Sequence, residues 1–212
     1  MMVRIALLLA LISILSTTLP APAGALCTPA PASCRAPAIA ESGVVRFHRG
    51  LKCVRNRLLW KWQHGAATAK ADFGDPVGSD DYALCIYDAS GLLFEAEIPK
   101  GCPTWARCWK EERNAFQYRT KRNQNIEQQQ FPPDGVRKVL LKAGDDRKAS
   151  IYIQGKGCNL FRDSPLEDGL DALVSPLTVQ LQRSGGSTCW GAVYTFPPAM
   201  QHDDLEFKDR AD

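Results

Sequence analysis

The sequence predicts an all-β protein: an antiparallel sandwich or a Greek-key barrel of about nine to eleven short strands. The first observation behind this prediction is that apolar residues recur with a period of two rather than 3.6. The second is that each short apolar segment is bounded by Gly, Pro, Asp or Asn. The third is the composition, because 45% hydrophobic residues and eight cysteines in 212 residues are typical of a globular domain braced by disulfides.

Nine segments have the composition and alternation of strands. They are residues 44–47, 58–62, 82–87, 92–98, 115–118, 136–141, 149–153, 177–181 and 189–196. By contrast, residues 110–130 carry charges and glutamines without a regular apolar stripe. We therefore predict an exposed polar excursion there.

The predicted β domain occupies residues 43–198. Before it, residues 26–42 are rich in Ala and Pro, which predicts an extended lead-in. After it, residues 199–212 are highly charged and follow two prolines, so we expect a loose charged tail.

The first 25 residues have the form of a secretory signal peptide. Arg4 supplies the positive start, residues 5–15 form an apolar run, and Ala23-Gly24-Ala25 matches an A-x-A cleavage site. The run is shorter than the roughly 20 residues that span a bilayer. We therefore expect cleavage near Ala25 and no transmembrane segment in the mature chain. The expected location is secreted, periplasmic or at the cell surface.

The two parts of the β domain, residues 43–130 and 131–198, share features in the same order. The first part contains Trp60-Lys61-Trp62, an acidic loop, the strand 84–87 and Cys108-Trp109. The second part contains Ile151-Tyr152-Ile153, a loop with three aspartates, the strand 179–181 and Cys189-Trp190. This order predicts two pseudo-repeated halves. The alternative is chance similarity among short strands.

Four stretches of the chain resemble a recurrent module in exported proteins of deltaproteobacteria and related bacteria. They are WKWQHGAATAKADFGDP, YALCIYD, PDGVRKVLLKAGDDRKASIYIQGKG and SPLTVQLQRSGGSTCWGAVY. They resemble that module's W-K-W-x-x-G-x-A-T, D-F-G-D-P, L-C-x-Y-D, P-D-G-[IV], G-K-G-x-N-L, P-V-x-V-Q-L and C-W elements. The resemblance covers roughly residues 50–196 and implies a secreted β-rich module without a known activity. One departure is Cys158, where a small residue is more usual.

Charge and motif content narrow the function classes. Removing residues 1–25 lowers Lys plus Arg from 26 to 25 against 23 acidic residues, which is too small an excess for a nucleic-acid partner. Three scattered histidines and the absence of C-x-x-C argue against zinc. The sequence contains no G-x-S-x-G, H-E-x-x-H, Walker A or Cys/His signature of catalysis.

We therefore expect a non-catalytic extracellular or envelope module with a structural or interaction role. Its expected partner is an envelope polysaccharide or another exported protein. The alternatives are a carbohydrate-binding module and a small secreted hydrolase.

The tryptophans are candidate sugar-binding residues. Trp60 and Trp62 share one strand face, where they form either a stacking surface for sugar rings or part of the core. Trp105 lies between Cys102 and Cys108 and is expected to be the most exposed tryptophan.

A basic run at residues 107–122 supplies a second candidate site. Arg119 and Lys121 are its candidate contacts to an anionic polysaccharide or lipid surface. The alternative is a solvated face without a ligand.

An acidic loop supplies a candidate calcium site, the one cofactor that the sequence suggests. Four carboxylates lie within ten residues, together with glycines that let the chain turn: Asp72, Asp75, Asp80 and Asp81. The alternative is ordinary turn chemistry.

All eight cysteines lie after residue 25 and are expected to form disulfides. Chain proximity favours the pairs Cys27–Cys34 and Cys102–Cys108. If each half is braced within itself, the remaining pairs are Cys53–Cys85 and Cys158–Cys189. These last four cysteines allow three pairings.

Overall fold

The computed structural model describes residues 26–27, 33–101, 106–120, 133–197 and 199–212, apart from the side chains of residues 106–108. The predicted signal peptide, Trp105, Lys121 and the predicted Cys102–Cys108 bond lie outside the described residues.

The described residues form twelve strands and three short 3-10 helices, which confirms the all-β prediction. The strands are β1 (Val44–His48), β2 (Arg57–Gly65), β3 (Tyr82–Asp88), β4 (Gly91–Ile98), β5 (Ala106–Glu112), β6 (Ala115–Thr120), β7 (Val136–Lys142), β8 (Ala149–Lys156), β9 (Leu177–Arg183), β10 (Trp190–Tyr194), β11 (Gln201–His202) and β12 (Glu206–Arg210). The 3-10 helices are Cys53–Arg55, Lys70–Phe73 and Pro165–Glu167. None of the described helices is long and apolar enough to cross a membrane.

The strands form two antiparallel sheets that enclose one core. The larger sheet has the order β11-β12-β1-β2-β8-β7-β6-β5, and the smaller has the order β10-β9-β3-β4. In the longer strands, alternate residues face the core, as the period of two requires. Along β2, for example, Leu58, Trp60 and Trp62 are buried between more exposed neighbours. Buried residues of both sheets belong to a single hydrophobic cluster.

The predictions for two charged segments were wrong. Residues 199–212 are not a loose tail, because β12 pairs with β1 along five residues and buries Phe207 completely. Residues 110–120 are not a polar excursion, because β5 and β6 pair as a hairpin at the end of the larger sheet. In both segments charged side chains occupy exposed or half-buried positions beside buried residues, as Lys208 does beside Phe207 and Arg119 does beside Tyr118.

The strand order is symmetric under exchange of each strand with the one six positions later. β2 meets β8 at the middle of the larger sheet, and β3 meets β9 at the middle of the smaller sheet. Lys61 lies opposite Tyr152 in the first pair, and Cys85 lies opposite Gln180 in the second. The Cys-Trp correspondence does not follow this order, because Trp109 lies on β5 and Trp190 on β10.

The observed disulfides correct three of the predicted pairings. They join Cys27 to Cys85, Cys34 to Cys189 and Cys53 to Cys158. The predicted bonds Cys27–Cys34, Cys53–Cys85 and Cys158–Cys189 are therefore wrong. The lead-in does not close on itself. Instead its described parts contact both sheets: a bridge between Arg35 and Trp190 extends the smaller sheet, and Pro37 forms a bridge with Gly65 of β2.

Candidate functional site

Trp60 and Trp62 belong to the core and do not form a sugar-stacking surface. Both side chains are fully buried. The Trp60 Nε1–H donates to the hydroxyl of Tyr194 at 3.0 Å, and the Trp62 Nε1–H donates to the Gly191 carbonyl at 3.0 Å. Because each indole N–H already has a buried partner, neither ring is available to a ligand.

The four carboxylates of the acidic loop do not form a calcium site. Asp72 pairs with Arg35 at 2.6 Å, Asp80 with Arg183 at 3.1 Å and Asp81 with Lys100 at 2.9 Å. The fourth carboxylate, on Asp75, accepts the Gly78 N–H at 2.9 Å. Among the described residues, no group of three or more His, Cys, Asp or Glu is placed to hold a metal ion. Separate cations and turn N–H groups thus satisfy these carboxylates individually.

The outer face of the eight-stranded sheet concentrates basic side chains, and we call it the basic face. Its cations occupy the outward positions of seven neighbouring strands, from β12 to β5, a span of about 29 Å at the usual strand spacing. They are Arg46, Arg57, Lys61, Lys110, Arg119, Lys138, Lys142, Lys156, Lys208 and Arg210. The outward acidic positions of the same strands are Glu112 and Glu206.

Cross-strand register groups the cations of the basic face. Arg46 lies beside Lys208, and Arg119 lies beside Lys138. Leu59 and Gln154 occupy the two strands between these pairs. Lys138 Nζ also lies 5.0 Å from the centre of the Tyr152 ring. The face therefore alternates charge with half-buried apolar and amide groups.

Few of these cations are neutralised by carboxylates. Arg46 contacts Glu206 at 2.5 Å, and Arg210 contacts Glu41 at 3.3 Å. Within the described part of the chain, no ion pair is formed by Arg57, Lys61, Lys110, Arg119, Lys142 or Lys208. Like charges at this spacing repel one another, and an anionic partner would relieve that repulsion.

The opposite side of the sandwich has the opposite charge. Glu95 and Glu97 occupy the outer side of β4, beside Asp134, whose carboxylate accepts the Glu97 N–H at 2.7 Å. Burial raises the pKa of Glu97, and the carboxylates of Asp134, Asp81 and Glu95 raise it further. Burial likewise raises the pKa of Asp134. The molecule is thus electrostatically polar, with a basic larger sheet and an acidic margin on the smaller one.

An open cleft of about 940 Å³ lies beside the basic face. Its charged lining includes Lys70, Asp72 and Lys142. Lys70 Nζ contacts Glu111 at 2.6 Å and donates to the Glu112 carbonyl at 2.7 Å. Lys70 and Asp72 form structural pairs, and Asp145 and Lys148, which also line the cleft, pair with each other at 3.5 Å. The remaining charged group among the described lining residues is Lys142, which already belongs to the basic face.

The basic run predicted at residues 107–122 contributes two described members to the basic face, Lys110 and the candidate contact Arg119. The missed members lie on strands that were predicted, such as Lys61 on β2, or on the charged strand β12. Outward Lys and Arg at alternate positions were visible in each segment, for example in VRKVLLK and EFKDR. The sequence does not reveal which strands are neighbours in the sheet. The basic face forms because β12, β1, β2, β8 and β7 lie side by side.

Comparison of the chain with protein-family models, with curated proteins and with solved structures finds no match in any of the three. The function is therefore inferred from the residues and their arrangement.

Proposed function

We propose that this protein is an exported, non-catalytic module that binds an acidic polysaccharide on its basic face. The observation that carries the proposal is the excess on that face: ten Lys and Arg against two Glu. The whole chain has only three more basic than acidic residues, so the rest of the chain is acidic in balance. Such segregation attracts and orients a polyanion.

A polysaccharide fits the face better than a lipid surface does. A membrane-binding surface inserts large exposed apolar side chains among its cations. The most exposed large apolar residues, Leu51, Met200 and Val174, lie outside the strands of the basic face. The face instead offers Gln154, Gln117 and Tyr152, which suit sugar hydroxyls and ring faces between the charges.

Export is part of the proposal. The A-x-A site at Ala23-Gly24-Ala25 and the resemblance to a secreted module support it. The three disulfides support an oxidising extracellular compartment. An exported protein meets acidic cell-surface polymers, whereas it does not meet chromosomal nucleic acid.

We also infer that the halves are a duplicated unit that together builds the face. The symmetric strand order supports this, since Lys61 and Tyr152, the middle residues of the similar segments, are direct partners. The ligand would then cross both halves at the centre of the sheet.

The proposal is tested by measuring binding of the mature chain to a soluble uronic acid polymer at low and at physiological salt. We expect binding that weakens as salt rises. Replacing the neighbouring pair Arg119 and Lys138 with Glu should weaken binding on the order of tenfold or more, since each reversal removes one attraction and adds one repulsion.

Lys148→Glu is the matched control, because this lysine is exposed on the loop before β8, outside the basic face. It should leave binding within about twofold of wild type. A neutral glucan, duplex DNA and anionic vesicles are the comparison ligands. Equal binding to the neutral glucan, or binding to DNA or vesicles without binding to the uronic acid polymer, would overturn the proposal.

A further inference from the structure

The chain at Leu26 and Cys27 is fastened to the smaller sheet by three kinds of contact. Cys27 forms a disulfide with Cys85 of β3 and is itself buried. The Leu26 side chain packs against the small cluster that Cys27, Cys85 and Tyr87 form on the outer side of β3. The third contact is polar and involves Glu95 on the neighbouring strand β4.

One carboxylate oxygen of Glu95 accepts hydrogen bonds from the backbone N–H groups of both residues in this segment. Glu95 Oε1 lies 3.0 Å from the Leu26 nitrogen and 3.4 Å from the Cys27 nitrogen. Hydrogen bonds from backbone N–H groups to an ionised carboxylate are strong, so Glu95 holds this segment of the backbone against β4. Leu26 is also the residue that directly follows the A-x-A site.

We propose that removal of the signal peptide after Ala25 creates an ion pair between the new α-ammonium group of Leu26 and the carboxylate of Glu95. Hydrolysis of the Ala25–Leu26 peptide bond consumes one water molecule, leaves a carboxylate on Ala25 and leaves an ammonium group on Leu26. The Leu26 nitrogen then carries a positive charge and additional donors at the position where it already contacts Glu95. The neighbouring disulfide keeps that nitrogen in place.

The surroundings favour a positive charge at this point. The Leu26 nitrogen contacts Glu95, and three titratable groups interact electrostatically with Glu95: Glu97 on the same strand, Asp134 on the turn before β7 and Tyr87 on β3. The three carboxylates repel one another, and an ammonium group at Glu95 relieves that repulsion. The processed chain therefore has an interaction that the unprocessed chain lacks.

This inference rests on the export part of the proposed function and is independent of the polysaccharide. The test uses a chain released from a fusion partner so that Leu26 is its first residue, and a second chain that retains Gly24 and Ala25. The readout is the pH dependence of amine acylation at the N-terminus, followed by mass spectrometry. We expect the α-amino pKa of the first chain to lie about one unit above its ordinary value of about 8.

Glu95→Gln should return the α-amino pKa to the ordinary range in the chain that begins at Leu26, which makes acylation near neutral pH about tenfold faster. It should not change the α-amino pKa in the chain that keeps Gly24 and Ala25. Glu97→Gln is the matched control and should retain most of the shift. An ordinary pKa in the chain that begins at Leu26, or a shift that survives Glu95→Gln, would overturn the ion pair.

N-terminal sequencing of the exported protein tests the processing step separately. Leu26 as the first residue supports the inference, and any other first residue overturns it. Polysaccharide binding by the basic face is measured independently, so the two failures are distinguishable.

Discussion

Several buried polar side chains in this protein have partners that are distant along the chain. The indole N–H groups of Trp60 and Trp62 find theirs 134 and 129 residues away, and Arg183 finds Asp80 across 103 residues. A buried polar group without a partner is costly, so each pair constrains how the sheets meet. The sequence indicated that the tryptophans are buried and that the aspartate lies in a turn. It could not indicate their hydrogen-bond partners, because these depend on which strands are adjacent.

The pair of Asp80 and Arg183 should be important for stability. Their side chains are 8% and 14% exposed, and Arg183 Nη1 donates to Asp80, while the buried Arg183 Nε has no hydrogen-bond partner among the described residues. Removing one member of a buried pair leaves the other charge uncompensated, so Asp80→Asn should lower the free energy of unfolding by about 3 kcal/mol. Denaturant unfolding measures this loss. Asp145→Asn, at an exposed pair, should cost less than about 1 kcal/mol, and equal costs would contradict the prediction.

The acidic margin of the smaller sheet should make stability depend on pH. Folding raises the pKa of Asp134 through burial. Such a carboxyl group stabilises the fold while it is protonated, below its ordinary pKa of about 4, and this contribution is lost as pH rises through the folded pKa. Asp134→Asn keeps an oxygen that can accept the Glu97 N–H but removes the charge.

We therefore expect Asp134→Asn to be more stable than wild type at neutral pH and to lose that advantage in acid. Equilibrium unfolding at pH 7 and pH 3 measures the difference. An advantage of the same size at both values would show that charge is not its cause.

The strands differ in how readily the sequence reveals them. All nine segments with alternating apolar residues form strands, because their inner sides build the core. β12 was missed because Phe207 is the only large apolar residue in EFKDR, so main-chain pairing to β1 decides its structure. The same holds for the basic face. The sequence shows the basic residues of each strand, but they form one surface only because strands such as β2 and β8 pair.

The importance of β12 can be measured at Phe207. Its ring is fully buried and packs against Phe47 and Phe196. Phe207→Ala should lower the free energy of unfolding by about 3–5 kcal/mol, as other large-to-small core changes do. The adjacent change Lys208→Ala, on the outward side, should cost less than about 1 kcal/mol. Similar small losses for both would mean that this strand contributes little to the core.

At the scale of the whole molecule, the two halves are joined rather than placed side by side. Each sheet takes strands from both halves, and two disulfides, Cys34–Cys189 and Cys53–Cys158, connect them. The pairings expected from chain proximity failed because the lead-in crosses to β10 and β3 before the first strand begins.

Removing the Cys53–Cys158 bond measures how much a covalent link between the two halves contributes to stability. Its cysteines are 105 residues apart, and neither is buried, so replacing both with Ser removes the cross-link without opening a core cavity. Loop-closure entropy predicts a loss of up to about 5 kcal/mol, relative to wild type under oxidising conditions. Chemical denaturation followed by fluorescence checks it. A loss below about 1 kcal/mol would indicate that the unfolded chain is already constrained.

The symmetric strand order has a consequence for how such a fold can arise. Two separate chains of six strands, meeting about a twofold axis, would bring β2 against β2 and β3 against β3 and would complete the same two sheets. In such a dimer, β1 would lie between its own β2 and the other copy's β6, just as it lies here between β2 and β12. Joining the end of β6 in one such copy to the start of the other copy would give the strand order that this chain has.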